Sequence, residues 1–245
     1  MNLKKSVIVF IVFFVFITVF TTPVSVFINK LPLPKNVIYQ NLQGSLWQGS
    51  LSAVQMKKNV ITNVHWQFLP WQLFTGKAAF QLRWGNARNS NEISGSGIAA
   101  IGFNGYQLQD MTVRAPANSV KPFMPIPMGD IYGRVILDVN SYTQGEPLCS
   151  GLVGDLTWVK SGVDINGTIE FGVIAAALSC REQQIIAQFD GENSLGLQGD
   201  ARLSSASSFK FEGFLKPSSD LPAIVHQGIG MFSKVDSQGR YKSSL

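Results

Sequence analysis

The sequence predicts a mainly β fold: an N-terminal transmembrane helix followed by a curved, mostly antiparallel β-sheet domain, an open groove or rolled sheet. Three observations predict it. An uncharged apolar run lies at the start, from Ser6 to Ile28. Beyond it, apolar and polar residues alternate with period two in segment after segment, as half-buried strands do. Turn dipeptides such as Gly85-Asn86 and Asp190-Gly191 separate those segments.

Composition agrees. Of 245 residues 45% are hydrophobic and 14% charged, with 23 Gly and 17 Phe. Average chains carry roughly 25% charged residues. The deficit suits a β-rich chain beside a membrane and opposes a long disordered tail. The net charge is +5, but the longest basic runs are the pairs Lys4-Lys5 and Lys57-Lys58. Nucleic-acid binders concentrate their basic residues on one face or segment, so no nucleic-acid partner is expected.

The first five residues form a short cytoplasmic start. Residues 6–28 follow as a membrane anchor, since about 20 apolar residues span a bilayer as a helix. Lys4 and Lys5 place the N-terminus in the cytoplasm. A cleaved signal peptide is the other reading. The exit, Thr21-Thr22-Pro23-Val24-Ser25, has no Ala-x-Ala site, which favours a retained anchor. Residues 29–35, N-K-L-P-L-P-K, read as a stiff extended stalk.

The β-rich domain is expected over 36–232. Val64, Trp66 and Phe68 alternate with His65 and Gln67; Phe80, Leu82 and Trp84 alternate with Gln81 and Arg83. Asp155 to Val159 and Phe209 to Phe214 continue the pattern, and Gly199-Asp200 reads as a further turn. Leu69 to Phe74 reads as one helical turn with Pro70 near its start. Val173 to Ser179 fits a strand or a short helix, and Leu221 to Ser233 a short helix weakened by its glycines. The proline-rich stretch 116–127 is a candidate break in one continuous sheet. The polar tail 233–245 is expected to be flexible.

Two cysteines, Cys149 and Cys180, are present. Export to an oxidising compartment and the even count favour a disulfide between them; two buried thiols are the alternative. With two His in the chain and no C-x-x-C pair, no metal site is expected. No nucleophile elbow, phosphate loop or zinc-protease motif occurs. His65 sits on a polar strand face, His226 lies near the C-terminus, and Asp190 and Glu192 flank a turn glycine. None has a local partner for acid–base work, so no enzymatic activity, catalytic residue or cofactor is expected.

The most distinctive segment runs from Leu42 to Trp84. Gly44 and Gly49 flank a stretch carrying Trp47, in L-Q-G-S-L-W-Q-G-S-L. Trp66 then projects from a second strand, Pro70 and Trp71 start a turn closed at Gly76, and a third strand follows. Aromatic anchors beside glycines suit a tightly bent sheet, or simply a meander with a tryptophan core.

These motifs, with the anchor, the Leu-Pro stalk and the Cys149, Gly151, Trp158, Cys180 pattern, resemble the type II secretion system protein N family over nearly the whole chain. The resemblance implies a bacterial inner-membrane, single-pass protein with its C-terminal domain in the periplasm. It implies a non-catalytic scaffold subunit of the secretion machinery. Its implied partners are other type II secretion components, the inner-membrane platform proteins and the outer-membrane secretin. The same G-x-W-x-G and W-x-x-x-P patterns also resemble AsmA-like proteins. That second resemblance implies a groove for lipid or another hydrophobic ligand, with Phe80, Leu82, Trp84, Phe209, Phe211 and Phe214 either lining it or filling an ordinary core.

Overall fold

A computed structural model describes residues 3–28, 37–56, 59–103, 105–120, 130–164, 167–205 and 208–244. The stalk expected at 29–35 and the proline-rich residues from 121 on lie outside them.

The strands are β1 (Val37–Gln40), β2 (Gln43–Gly44), β3 (Gln48–Met56), β4 (Asn59–Phe68), β5 (Lys77–Trp84), β6 (Ser94–Gly102) and β7 (Gly105–Pro116). They continue with β8 (Asp130–Gln144), β9 (Cys149–Asp164), β10 (Thr168–Arg181), β11 (Gln184–Asp190), β12 (Gln198–Ser205), β13 (Ser208–Leu215) and β14 (Tyr241–Ser244). All join one antiparallel sheet in chain order, with β1 and β2 both laid along β3. Each strand pairs with its neighbour in sequence because hairpin turns cost the least loop entropy. The segment around Val173 is strand, part of β10.

The register puts one apolar face together. Trp66 opposes Leu82, and Phe68 opposes Phe80. Val135 opposes Trp158, which opposes Ile174; Leu137 opposes Leu156, which opposes Ala176. The intervening residues, such as Gln81, Thr112, Asp138, Asp155 and Gln188, make the other face polar. Register shifts at Gly133, Asn140 and Gly172 bend the long strands β8, β9 and β10, as bulges do.

Apolar residues gather in three clusters. One, around Ile131, Val163 and Phe171, is covered by α3 (Ala117–Val120), by Leu195 and Leu197, by Leu221 and by Val225 in the first turn of α4 (Ala223–Phe232). A second joins Met111, Val139 and Leu152 with Trp84, Leu178 and Ile185. A small third packs Leu69 on Ala79 and Ala100.

Several expectations need correction. The single span over 6–28 is instead two helices, α1 (Leu3–Thr21) and α2 (Val24–Ile28). Among the described residues no helix is long and apolar enough to cross a membrane. Pro23 cannot donate the helical hydrogen bond and divides the run. The uncharged part of α1, from Ser6 to Thr21, reaches roughly 24 Å at about 1.5 Å per residue, against roughly 30 Å of hydrocarbon. The sheet does not break at Pro116, because β7 and β8 pair up to Pro116 and Arg134. Gly199-Asp200 is no turn but the start of β12, where Gly199 opposes Phe189 and Gly213. The tail expected to be flexible carries β14, which pairs with β13 from Leu215–Tyr241 to Glu212–Ser244.

Candidate functional site

The motif residues explain one another. Gly44 has a φ of +97°, and a Cβ there would lie 2.4 Å from the Gln48 carbonyl oxygen, so the turn into β3 needs glycine. Trp47 packs edge-on against Phe68 at 4.8 Å between ring centres, and Phe68 meets Phe80 at 5.2 Å. Gly49 faces Trp66 across the ladder, and a Cβ on Gly49 would sit 2.2 Å from the Trp66 ring. The indole lies in that space, and its Nε1–H donates to the Ser45 and Leu46 carbonyls, each at 3.2 Å. The arrangement recurs unannounced by any motif: Trp84 lies over Gly95 and Tyr132 over Gly162, both cross-strand pairs. The Tyr132 phenol, whose pKa is raised by burial and then by the nearby Glu170 and Asp164 carboxylates, has no hydrogen-bond partner among the described residues.

Pro70 opens a 3-10 turn, Pro70–Thr75, closed by Gly76 at φ 73°, whose N–H donates to the Leu73 carbonyl at 3.0 Å. Trp71 on this turn is no anchor: it is 58% exposed. Cys149 and Cys180 form a disulfide with Cα atoms 6.1 Å apart. It ties the start of β9 to the end of β10, beyond their last ladder pair, Val153–Ser179. Cys149 is fully buried, and Cys180 packs on the Met111 and Leu152 cluster.

The ionisable residues do not converge. His65 is exposed opposite Arg83, and His226 lies on α4. The Asp190 carboxylate accepts the Glu192 N–H at 2.8 Å and so closes its own turn. Among the described residues no three His, Cys, Asp or Glu could hold a metal ion.

The groove residues do not form one trough either. Phe211 is buried, Phe80, Leu82 and Trp84 are half-buried, and Phe209 is 46% exposed. Phe214 points to the opposite face, its ring 4.3 Å beneath the Arg240 guanidinium. A depression of about 490 Å³ is lined by Asp155, Thr157, Gln188 and Asp190 together with Phe189 and Ala175, Ala176 and Ala177, a mixed lining rather than a continuous apolar trough.

What sequence reasoning missed is an exposed apolar cluster at one end of the sheet. Phe74 and Phe103 are 94% and 98% exposed, and Leu73 and Trp71 are more than half exposed. The Phe103 ring comes beside Gly76, where a Cβ would meet it at 3.2 Å. Aromatic residues placed in turns, between Leu73 and Thr75 and just after Gly102, were the available signal.

Comparison with known proteins gives one consistent result. The model of the family described as type II secretion system (T2SS), protein N matches residues 35–244. Among characterised proteins, the chain is similar to the type II secretion system protein N of Aeromonas hydrophila, at 28% identity over 89% of this chain and 88% of that protein. The protein of the same name from Vibrio cholerae is 25% identical, with 89% and 88% covered. That of Pectobacterium carotovorum is 25% identical, with 86% and 84% covered. No solved structure matches.

Proposed function

The chain belongs to the type II secretion system protein N family, and on that premise we propose that it is an inner-membrane-anchored periplasmic component of the type II secretion machinery, acting as a non-catalytic scaffold subunit. The observation that carries this reading is that the family match spans the whole sheet, from before β1 through β14. Its partners are other secretion components, the inner-membrane platform proteins and the outer-membrane secretin.

The anchor in this proposal is α1 with α2, taken together across Pro23. Its support is the apolar side chains of α1, among which Val9, Phe10, Phe13 and Phe14 are each more than 60% exposed. Lys4 and Lys5 orient it with the N-terminus cytoplasmic. A periplasmic sheet fits the disulfide, since disulfides persist in that compartment.

Partners have somewhere to dock. Among the described residues the outer edge of β1 pairs with no strand, and that of β14 meets only a bridge from Val235 to Tyr241. An unpaired edge accepts a strand from another chain.

Deleting the protein from its own bacterium tests the role. Exported enzymes should then accumulate in the periplasm, and a photo-crosslinker at Ile38 on β1 should capture a secretion component from the complemented strain. Unchanged secretion together with no such crosslink would sink the proposal.

A further inference from the structure

The exposed apolar cluster lies at the end of the sheet where the N-terminal helices arrive. Pro23, between α1 and α2, bridges to Ser45 in the turn before β3. The carbonyl of Trp47, in the same turn, accepts the Phe68 N–H. Phe68 leads directly into the Pro70–Thr75 turn, and that turn touches the β6–β7 hairpin through Gly76 and Phe103. Helix, turn and hairpin tip therefore share one rim. Ile101 and Tyr106, paired across the hairpin, are 48% and 59% exposed and extend it.

The chemistry of this rim is not that of a surface facing water. A contiguous set of large exposed apolar side chains marks an interaction surface, whereas single ones need no explanation. From Leu69 to Leu82 and from Gly97 to Gln109 there is no Asp or Glu, and the sole charge is Lys77. Trp, Tyr and Phe beside a cation, with no acid in these two segments and the nearest hairpin acid at that end being Glu146, is the composition of residues that sit among lipid headgroups. A protein partner would be met as well by a rim at the far end. The position next to the apolar α1 and α2 favours lipid.

We propose that this rim, led by Trp71, Leu73, Phe74 and Phe103, seats in the headgroup region of the bilayer and holds the sheet end-on against the membrane. The inference rests on the anchoring proposed above and adds a second, peripheral contact. It makes the opposite end of the sheet, with α3 and the β9–β10 hairpin, the part that reaches away from the membrane.

The test uses the full chain in vesicles of phosphatidylethanolamine and phosphatidylglycerol. Phe74→Cys, Phe103→Cys and Val173→Cys each carry an environment-sensitive fluorophore; the native cysteines are paired and do not compete. Val173 is exposed and roughly 26 Å along β10 from the rim at about 3.3 Å per residue. Flotation reads anchoring, and quenching by headgroup-region nitroxide lipids reads the rim. The expected result is flotation, with most of the fluorescence lost at positions 74 and 103 and none at 173. Flotation with all three labels unquenched overturns the rim and leaves the anchor standing. Failure to float overturns both. Because a label could itself partition, intrinsic fluorescence gives an independent reading: the vesicle-induced blue shift of the unlabelled chain should shrink in Trp71→Phe. An undiminished shift counts against the proposal.

Discussion

The sheet is held together differently on the two sides of β7. From β2 to β6, flat rings lie over glycines on the opposing strand, Trp66 on Gly49 and Trp84 on Gly95. From β8 to β11, where Tyr132 over Gly162 repeats that pairing once, strands of up to 16 residues also pack aliphatic and aromatic side chains beneath α3, α4 and the Leu195–Leu197 segment, and a disulfide closes one end. The difference follows from cover. Where a second layer exists, its side chains cover most of the apolar face. Where it does not, a large ring laid flat along the sheet buries its own area and that of the backbone beneath it, and only a residue without a Cβ leaves room.

The comparison can be broken most directly at the disulfide. Cys149→Ser should lower stability by roughly 3 to 4 kcal/mol, given a closed loop of about 31 residues in the chain-entropy model. Chemical denaturation under oxidising conditions measures the loss. Hydrogen exchange shows where it falls: greater amide exposure in β8–β11 than in β3–β5 keeps the two regions distinct, and equal exposure makes them one cooperative unit.

Trp66→Ala should cost about 2 to 3 kcal/mol, less than a fully buried tryptophan, because the ring is half-buried. Trp71→Ala, although from the same sequence motif, should stay within about 0.5 kcal/mol. Equal losses at the two positions would remove the distinction between ring over glycine and ring in solvent.

Gly95→Ala sharpens the same point from below. Its Cβ would lie 2.3 Å from the Trp84 ring and 2.5 Å from the Thr112 carbonyl oxygen, so about 1 to 3 kcal/mol should be lost. Gly151, with nothing within 4 Å of its added Cβ, is the control. Similar thermal midpoints for the two alanine variants would contradict the close approach.

The smallest effect concerns the last strand. Asp236 accepts the N–H groups of Arg240 and Gln238 at 2.9 and 2.8 Å and pairs with the Arg240 guanidinium. The Arg240 N–H is the main reason its carboxyl titrates below the usual range, with the Gln238 N–H and the Arg240 side chain adding to it. A lowered carboxylate pKa stabilises above the ordinary value, about 3.9, and that contribution disappears as pH falls through the folded value. The β14 hairpin should therefore loosen in acid before the long strands do, visible as loss of the Tyr241 amide signal. Loss in step with β9 would tie β14 to the main sheet.

Much of this was legible in the sequence. Alternation around Trp66, Phe80 and Leu156 reports which side chains share a face, because side-chain direction in a strand has a fixed period. The glycine and proline of the Pro70–Gly76 turn announce their own backbone geometry. The pairing of Gly95 with Trp84 was not legible, since it depends on a register set between strands. The exposure of Trp71 was not legible either: a tryptophan's type predicts burial, and only its position on a turn at the sheet's rim leaves it in the open. The division of the apolar run, by contrast, was legible at Pro23, since a residue without an N–H breaks a helix by its type alone.

By itself, then, the sequence determined the β class, the family, the cysteine pair and the local turns, because composition, periodicity and φ preferences act within a few residues. Tertiary structure decided which rings cover which glycines, how β14 recruits the tail, and that the turn carrying Trp71 and Phe74 comes beside Phe103 at Gly76. Those are contacts between residues far apart in the chain, fixed by the register and bend of the whole sheet.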